Sequence, residues 1–114
     1  MTGDVDHGPL RILFTGRPAG VYCEGDIDLG TRRVLVRALA MAVERTGGDL
    51  YADLRGVGFV DVGGLRVLAE TAFGMAGDRK LIVHGLRPHT RRIIELCGWT
   101  EVLTAGPGTV TAVG

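Results

Sequence analysis

Three carboxylates, a glycine pair and a basic cluster are the parts of this chain whose types and spacing suit chemistry. Asp26 and Asp28 stand two residues apart, just ahead of Thr31 and a segment with helical periodicity. Asp61 opens the run Asp61-Val62-Gly63-Gly64-Leu65-Arg66. Two carboxylates brought together can act as general acid and general base. Nothing else in the sequence builds a substrate pocket around Asp28 and Asp61, so a different task fits Asp61 better. At the start of a helix its carboxylate accepts from backbone N–H groups that have no partner within the helix. Gly63 and Gly64 keep that surface flat, so another backbone can approach closely. Asp28 or Thr31 can cap the preceding helix in the same way.

The other routes to catalysis fare poorly. The chain contains no serine, which excludes a serine nucleophile. Cys23 and Cys97 sit among apolar residues and are expected to be buried, unreactive thiols. His7, His84 and His89 do not cluster with the cysteines at a metal-ligand spacing, so no metal and no other cofactor are expected. No Gly-Lys-Ser/Thr follows a glycine loop, and no Gly-x-Gly-x-x-Gly joins a strand to a helix. Arg87, His89, Arg91 and Arg92 form a basic cluster that suits a solvated helix face better than a phosphate site. No aromatic residues interleave with them, and Glu95 follows. The chain reads as a non-enzyme.

These residues need a scaffold. Strands are expected at residues 10–15 and 21–25, paired as a hairpin through the Arg17-Pro18-Ala19-Gly20 turn. A helix of about 15 residues follows residue 31, with Leu35 or Val36, Leu39, Ala42 and Val43 facing inward. Gly47-Gly48 stops it. Residues 50–54 form a strand, followed by a turn and a second short apolar run. Asp61 then caps a helix, and Val60 with Leu65 has the spacing of a hydrophobic staple. Leu65, Leu68, Ala69, Ala72 and Ala76 form its inward stripe, and Gly77-Asp78 ends it. Residues 80–84 make a strand. Pro88 starts a third helix that buries Ile93, Leu96 and Cys97 and stops at Gly98. Residues 101–104 make the last strand. The alternation predicts an α/β fold: one mixed β-sheet of about five strands, with an N-terminal hairpin, parallel core strands and about three helices mainly on one face.

A length of 114 residues suits one domain, large enough to bury its own core. It is expected to span residues 10–104 between flexible tails at 1–9 and 105–114. Net charge is zero, which gives no footprint for direct nucleic-acid binding. No apolar run approaches the roughly 20 residues that span a bilayer. Residues 1–9 lack the features of a signal peptide, so no membrane insertion and a cytoplasmic location are expected. Nothing in the pattern demands more than a monomer or a weak homodimer.

The segment Phe59-Val60-Asp61-Val62-Gly63-Gly64-Leu65, with Gly25-Asp26-Ile27-Asp28 before it and the Pro88 to Gly98 segment after it, resembles the STAS domain family. The resemblance covers residues 10–104. It implies a STAS-like single domain that acts as an anti-sigma factor antagonist, binding a kinase-type anti-sigma factor by partner switching. The partner-binding residues it implies are Asp26, Asp28, Thr31, Asp61, Val62, Gly63, Gly64 and Arg66. In the family, two hydroxyl residues usually follow the aspartate, and the first is phosphorylated. Val62 holds that slot here and has no oxygen to phosphorylate. The usual switch is therefore expected to be missing. The runner-up readings it implies are a subunit of an ABC-type membrane transport complex, or a stress-signalling scaffold that pairs with other STAS proteins. A nucleotide- or lipid-binding role is a further reading.

Overall fold

A computed structural model of the chain describes residues 4–7, 9–100 and 103–105. Its elements in chain order are β1 (Asp4–His7), β2 (Leu10–Gly16), β3 (Ala19–Ile27), α1 (Arg32–Arg45), β4 (Leu50–Val60), α2 (Val62–Gly74), β5 (Leu81–His84), α3 (Pro88–Leu96) and β6 (Leu103–Ala105). The strands form one six-stranded sheet in sequential order. β1, β2 and β3 pair antiparallel, and β3 to β6 pair parallel.

Alternation along the strands decides which face is covered. In β4, Leu50, Ala52 and Leu54 are buried, while Tyr51 and Asp53 between them are only half-buried. The buried set joins Leu10, Ile12, Val21, Cys23, Leu81 and Val83 in a single apolar cluster. Helix α1 lays Val34, Leu35, Ala38, Leu39 and Ala42 into that cluster. Helix α2 adds Leu65, Val67 and Leu68. The two helices pack on each other, α1 against β2 and β3 and α2 against β5 and β6.

Several elements depart from the expected bounds. Residues 4–7 are not a loose tail, because they pair with Leu10 to Leu13 of β2 and add a strand to the expected count. The strand at 50–54 does not end in a turn. It runs on to Val60 beside β3, and the ladder absorbs two irregularities, between Tyr22 and Glu24 and between Gly25 and Asp26 of β3. Extra residues on one strand of a ladder are taken up as bulges, where glycine is common, and Gly56 and Gly58 fall in this stretch. Helix α2 stops at Gly74, so Ala76 is exposed. Helix α3 buries Thr90 and Ile94 instead of the expected Leu96 and Cys97. Leu96 is 76% exposed. In a helix of nine residues a one-position rotation is enough to exchange the faces. The expected tail at 106–114 lies outside the described residues.

The carboxyl end of α1 is closed by a residue from a distant loop. The Arg79 guanidinium donates to the carbonyls of Thr46 at 2.6 Å, Gly48 at 2.8 Å and Val43 at 3.2 Å. These are carbonyls left over at a helix end, where the dipole also favours a cation. Arg79→Ala is expected to lower stability by about 1–2 kcal/mol, measured by urea unfolding. Arg79→Lys recovers only part of the loss, because an ammonium cannot span three carbonyls.

Cys23 and Cys97 separate in environment. Cys23 is fully buried in β3, and burial pushes its thiol up to about 12. Cys97 is exposed, against the expectation of burial. Under native conditions at pH 8, one thiol per chain is expected to react promptly with an aromatic disulfide reagent, and the second only on denaturation. Prompt labelling of both would show that β3 opens readily.

Candidate partner-binding site

The carboxyl ends of β3 and β4 emerge side by side, because the two strands run parallel and pair Asp26 with Phe59 and Ile27 with Val60. The backbone N–H of Asp61 donates to the Ile27 carbonyl at 3.0 Å, which ties the β4–α2 junction to the β3–α1 loop. Two segments far apart in sequence thus become one surface.

The β3–α1 loop is organised by Asp28 and Thr31. The Asp28 carboxylate accepts from the backbone N–H groups of Gly30 at 2.9 Å and Thr31 at 3.1 Å. The Thr31 hydroxyl donates to the Asp26 carbonyl at 2.8 Å and accepts from the Asp28 N–H at 3.0 Å. Thr31 is only 1% exposed. Thr31 therefore shapes the loop from within, beneath the surface of the unbound chain.

The β4–α2 junction is built on Asp61. Its carboxylate accepts from the Gly64 N–H at 2.7 Å, the expected N-cap. Its other oxygen accepts from Arg32, the first residue of α1, at 3.2 Å. Gly63 makes that reach feasible, because a Cβ there would collide with the Arg32 guanidinium. Gly64 is buried, and a Cβ there would press on Ile27 at 2.5 Å and Val60 at 3.0 Å. The glycine pair is thus filled from behind and from the side: Gly64 by core packing, Gly63 by an arginine. Gly64, like Thr31, is a buried support of this surface.

What remains outside is a small mixed surface. Val62, the first residue of α2, is 48% exposed, and Leu29 and Phe59 in the two segments are 78% and 53% exposed. Asp26 and Arg66 are exposed as well. Asp28 and Asp61 are each engaged by their own set of donors. Sequence reasoning missed Arg32, and it did not single out Leu29 as a contact. An arginine two turns of logic away from its acceptor, 29 positions along the chain, leaves no local signal. Leu29 was visible as a large apolar residue inside a polar loop.

The basic cluster is partly structural. Arg87 precedes Pro88 at the start of α3 and donates to the Val57 carbonyl at 3.3 Å. Thr90 is buried and contacts the His89 ring at 3.4 Å. The crevice between this segment and β4 is about 10 Å³, room for a single water. Among the described residues, no three His, Cys, Asp or Glu side chains lie close enough to hold a metal ion. No helix among them is long and apolar enough to cross a membrane.

A mixed sheet with an N-terminal hairpin, helices packed on one face and an aspartate-capped β–α junction beside a structured loop defines a small α/β domain. The family model described as "Mlab, STAS domain" matches residues 11–104, and the chain belongs to the STAS domain family. Among solved structures it is similar to an anti-sigma factor antagonist from Mycobacterium paratuberculosis, at 28% identity and a TM-score of 0.65. That match covers 96% of this chain and 90% of the other. It shares its fold with the anti-sigma factor antagonist SpoIIAA in its unphosphorylated form, at 13% identity and a TM-score of 0.55, over 82% of this chain and 84% of that one. No curated protein matches it.

Proposed function

We propose that this chain is a cytoplasmic anti-sigma factor antagonist that binds a kinase-type anti-sigma factor and acts without enzymatic activity of its own. The observation that carries the reading is the surface around Val62. An apolar residue stands half-exposed at the first position of α2, and the two segments that meet at this junction also expose Leu29, Phe59, Asp26 and Arg66. Apolar centres with polar rims suit protein contacts. The likeness to the mycobacterial antagonist supports the same reading.

The slot that the family phosphorylates is Val62, and the next is Gly63 covered by Arg32. Binding is therefore not switched off by phosphorylation there. Activity follows the abundance of the protein, or its pairing with phosphorylatable STAS relatives in a scaffold.

The test is affinity purification of the tagged protein from its native host, with mass spectrometry of soluble and membrane fractions. A recovered kinase-type anti-sigma factor is then purified, and its binary affinity for this chain is measured by calorimetry. Direct binding that is lost on Val62→Asp supports the proposal. Recovery of a transport ATPase from the membrane fraction, with direct binding to it, overturns the proposal in favour of a transport subunit.

A further inference from the structure

The sheet has a second face, and no helix lines it among the described residues. Parallel strands are ordinarily covered on both faces. Here β3, β4 and β5 are parallel, yet α1 and α2 pack on one side only. The side chains on the other side are not those of a plain solvent face. Register places Leu13, Tyr22, Asp53 and His84 in one row across β2, β3, β4 and β5. The neighbouring row runs Thr15, Gly20, Tyr51 and Ile82. Gly20 is buried, and the Tyr51 backbone fills the space a Cβ would take there, so β3 and β4 approach closely at this point.

This face holds a concavity of about 530 Å³, lined by both tyrosines, His84, Asp53 and Leu13. The turn at Arg17 and Pro18 also lines it. That volume is in the range of small-molecule sites, and a hollow of this shape suits a compact ligand better than a flat protein surface. Tyr51 and His84 are stacked, with ring centroids 5.4 Å apart and planes 29° apart, and so form an aromatic pair in the lining. The His84 Nε2 atom is buried without a hydrogen-bond partner.

Charge selects among planar ligands. The lining holds Arg17 and Arg55 against the single carboxylate of Asp53. Arg55 is committed to Asp53 at 2.6 Å, which answers that charge. Burial raises the Asp53 carboxyl, but the hydrogen bonds and charge of Arg55 outweigh burial and hold it below its usual value. Arg17 is left exposed at the rim. We infer that this face is a binding site for a planar aromatic carboxylate of one or two rings. The ligand's rings pack against the aromatic pair of Tyr51 and His84, and the carboxylate meets Arg17. The site is separate from the Val62 surface: its rim lies at the start of β3, whereas Val62 follows the end of β4.

The probe is 2-naphthoate, titrated into the full chain and followed by NMR. The neutral 2-naphthalenemethanol and the non-aromatic cyclohexanecarboxylate are controls. Saturable binding with a Kd of about 0.1–1 mM is expected, with the Tyr51 and His84 resonances shifting most. Each control should bind about tenfold more weakly. Arg17→Ala, a change in an exposed turn, should weaken 2-naphthoate about fivefold and leave the neutral analogue unaffected. Tyr51→Leu should weaken both aromatic ligands, with a thermal melt confirming that it folds. Absence of saturation up to about 10 mM overturns the inference. So does a shift pattern centred on α1 and α2, or on Val62. Concentration-dependent shifts of this face without ligand would assign it to a second copy of the chain and overturn it equally.

Discussion

Gly25→Ala is expected to lower stability by about 4 kcal/mol, more than any other change considered for this chain, and to drop the melting temperature by about 15 °C or more. Gly25 has φ +114°, a conformation that L side chains rarely adopt. An alanine Cβ there would coincide with the carbonyl of Pro9. That carbonyl cannot retreat freely, because it accepts from the Asp26 N–H at 3.1 Å. The next residue, Leu10, is fully buried and pairs with Gly25 itself. Relief therefore requires separating β2 from β3 where β3 also pairs with β4 at Val57. Strain of about 1–3 kcal/mol and lost strand packing then add at one point. Gly47→Ala is the control, since nothing lies within 4 Å of a Cβ there. It should stay within about 0.5 kcal/mol of the parent. Circular dichroism melts of the three proteins decide the matter. A Gly25→Ala melt within about 3 °C of the parent would show that the β2–β3 junction yields at little cost.

The same position illustrates what was legible in the sequence. The order of strands and helices was readable, because apolar periodicity shifts between 2 and 3.6 and glycine or proline marks most junctions. The Asp61 cap was readable for a local reason: an aspartate preceded by Val60 and followed by Leu65 carries its own helix-start geometry. The unread parts were those in which a residue's role is set by a distant neighbour. Residues 4–7 look like a polar tail because Asp4 and Asp6 carry no strand signal, and their pairing comes from the free edge of β2. Gly56 and Gly58 read as a turn, since glycine marks turns and bulges alike. Leu96 and Cys97 satisfy an apolar spacing, yet Thr90 and Ile94 are the residues of α3 that point inward. At the site, the aspartates and glycines were visible, whereas the burial of Thr31 and the reach of Arg32 arise only once the β3–α1 loop folds against the β4–α2 junction.

Val62→Asp separates the fold from the binding surface, because the two effects have opposite causes. A carboxylate at the first residue of α2 lies near exposed N–H groups and the positive end of the helix dipole. That gain of about 0.3–1 kcal/mol offsets the apolar burial lost at a half-exposed valine, so stability should change by less than about 0.5 kcal/mol. Affinity for the anti-sigma partner should nevertheless fall about 100-fold, since the new charge must be desolvated at an apolar contact. Asp61→Ala should behave differently. It removes the cap on Gly64 and leaves Arg32 without its carboxylate, so it loses about 2 kcal/mol of stability together with binding. Val62→Ser completes the set: it keeps the contact small and neutral while giving a kinase the missing hydroxyl. The serine variant should bind within about threefold of the parent, and should release its partner once it incorporates phosphate with ATP. If Val62→Asp binds as tightly as the parent while Asp61→Ala does not, the contact lies on the β3–α1 side, around Leu29, and residue 62 has no part in it. If the serine variant takes up phosphate and remains bound, the proposal that the missing oxygen at Val62 keeps binding switched on is overturned.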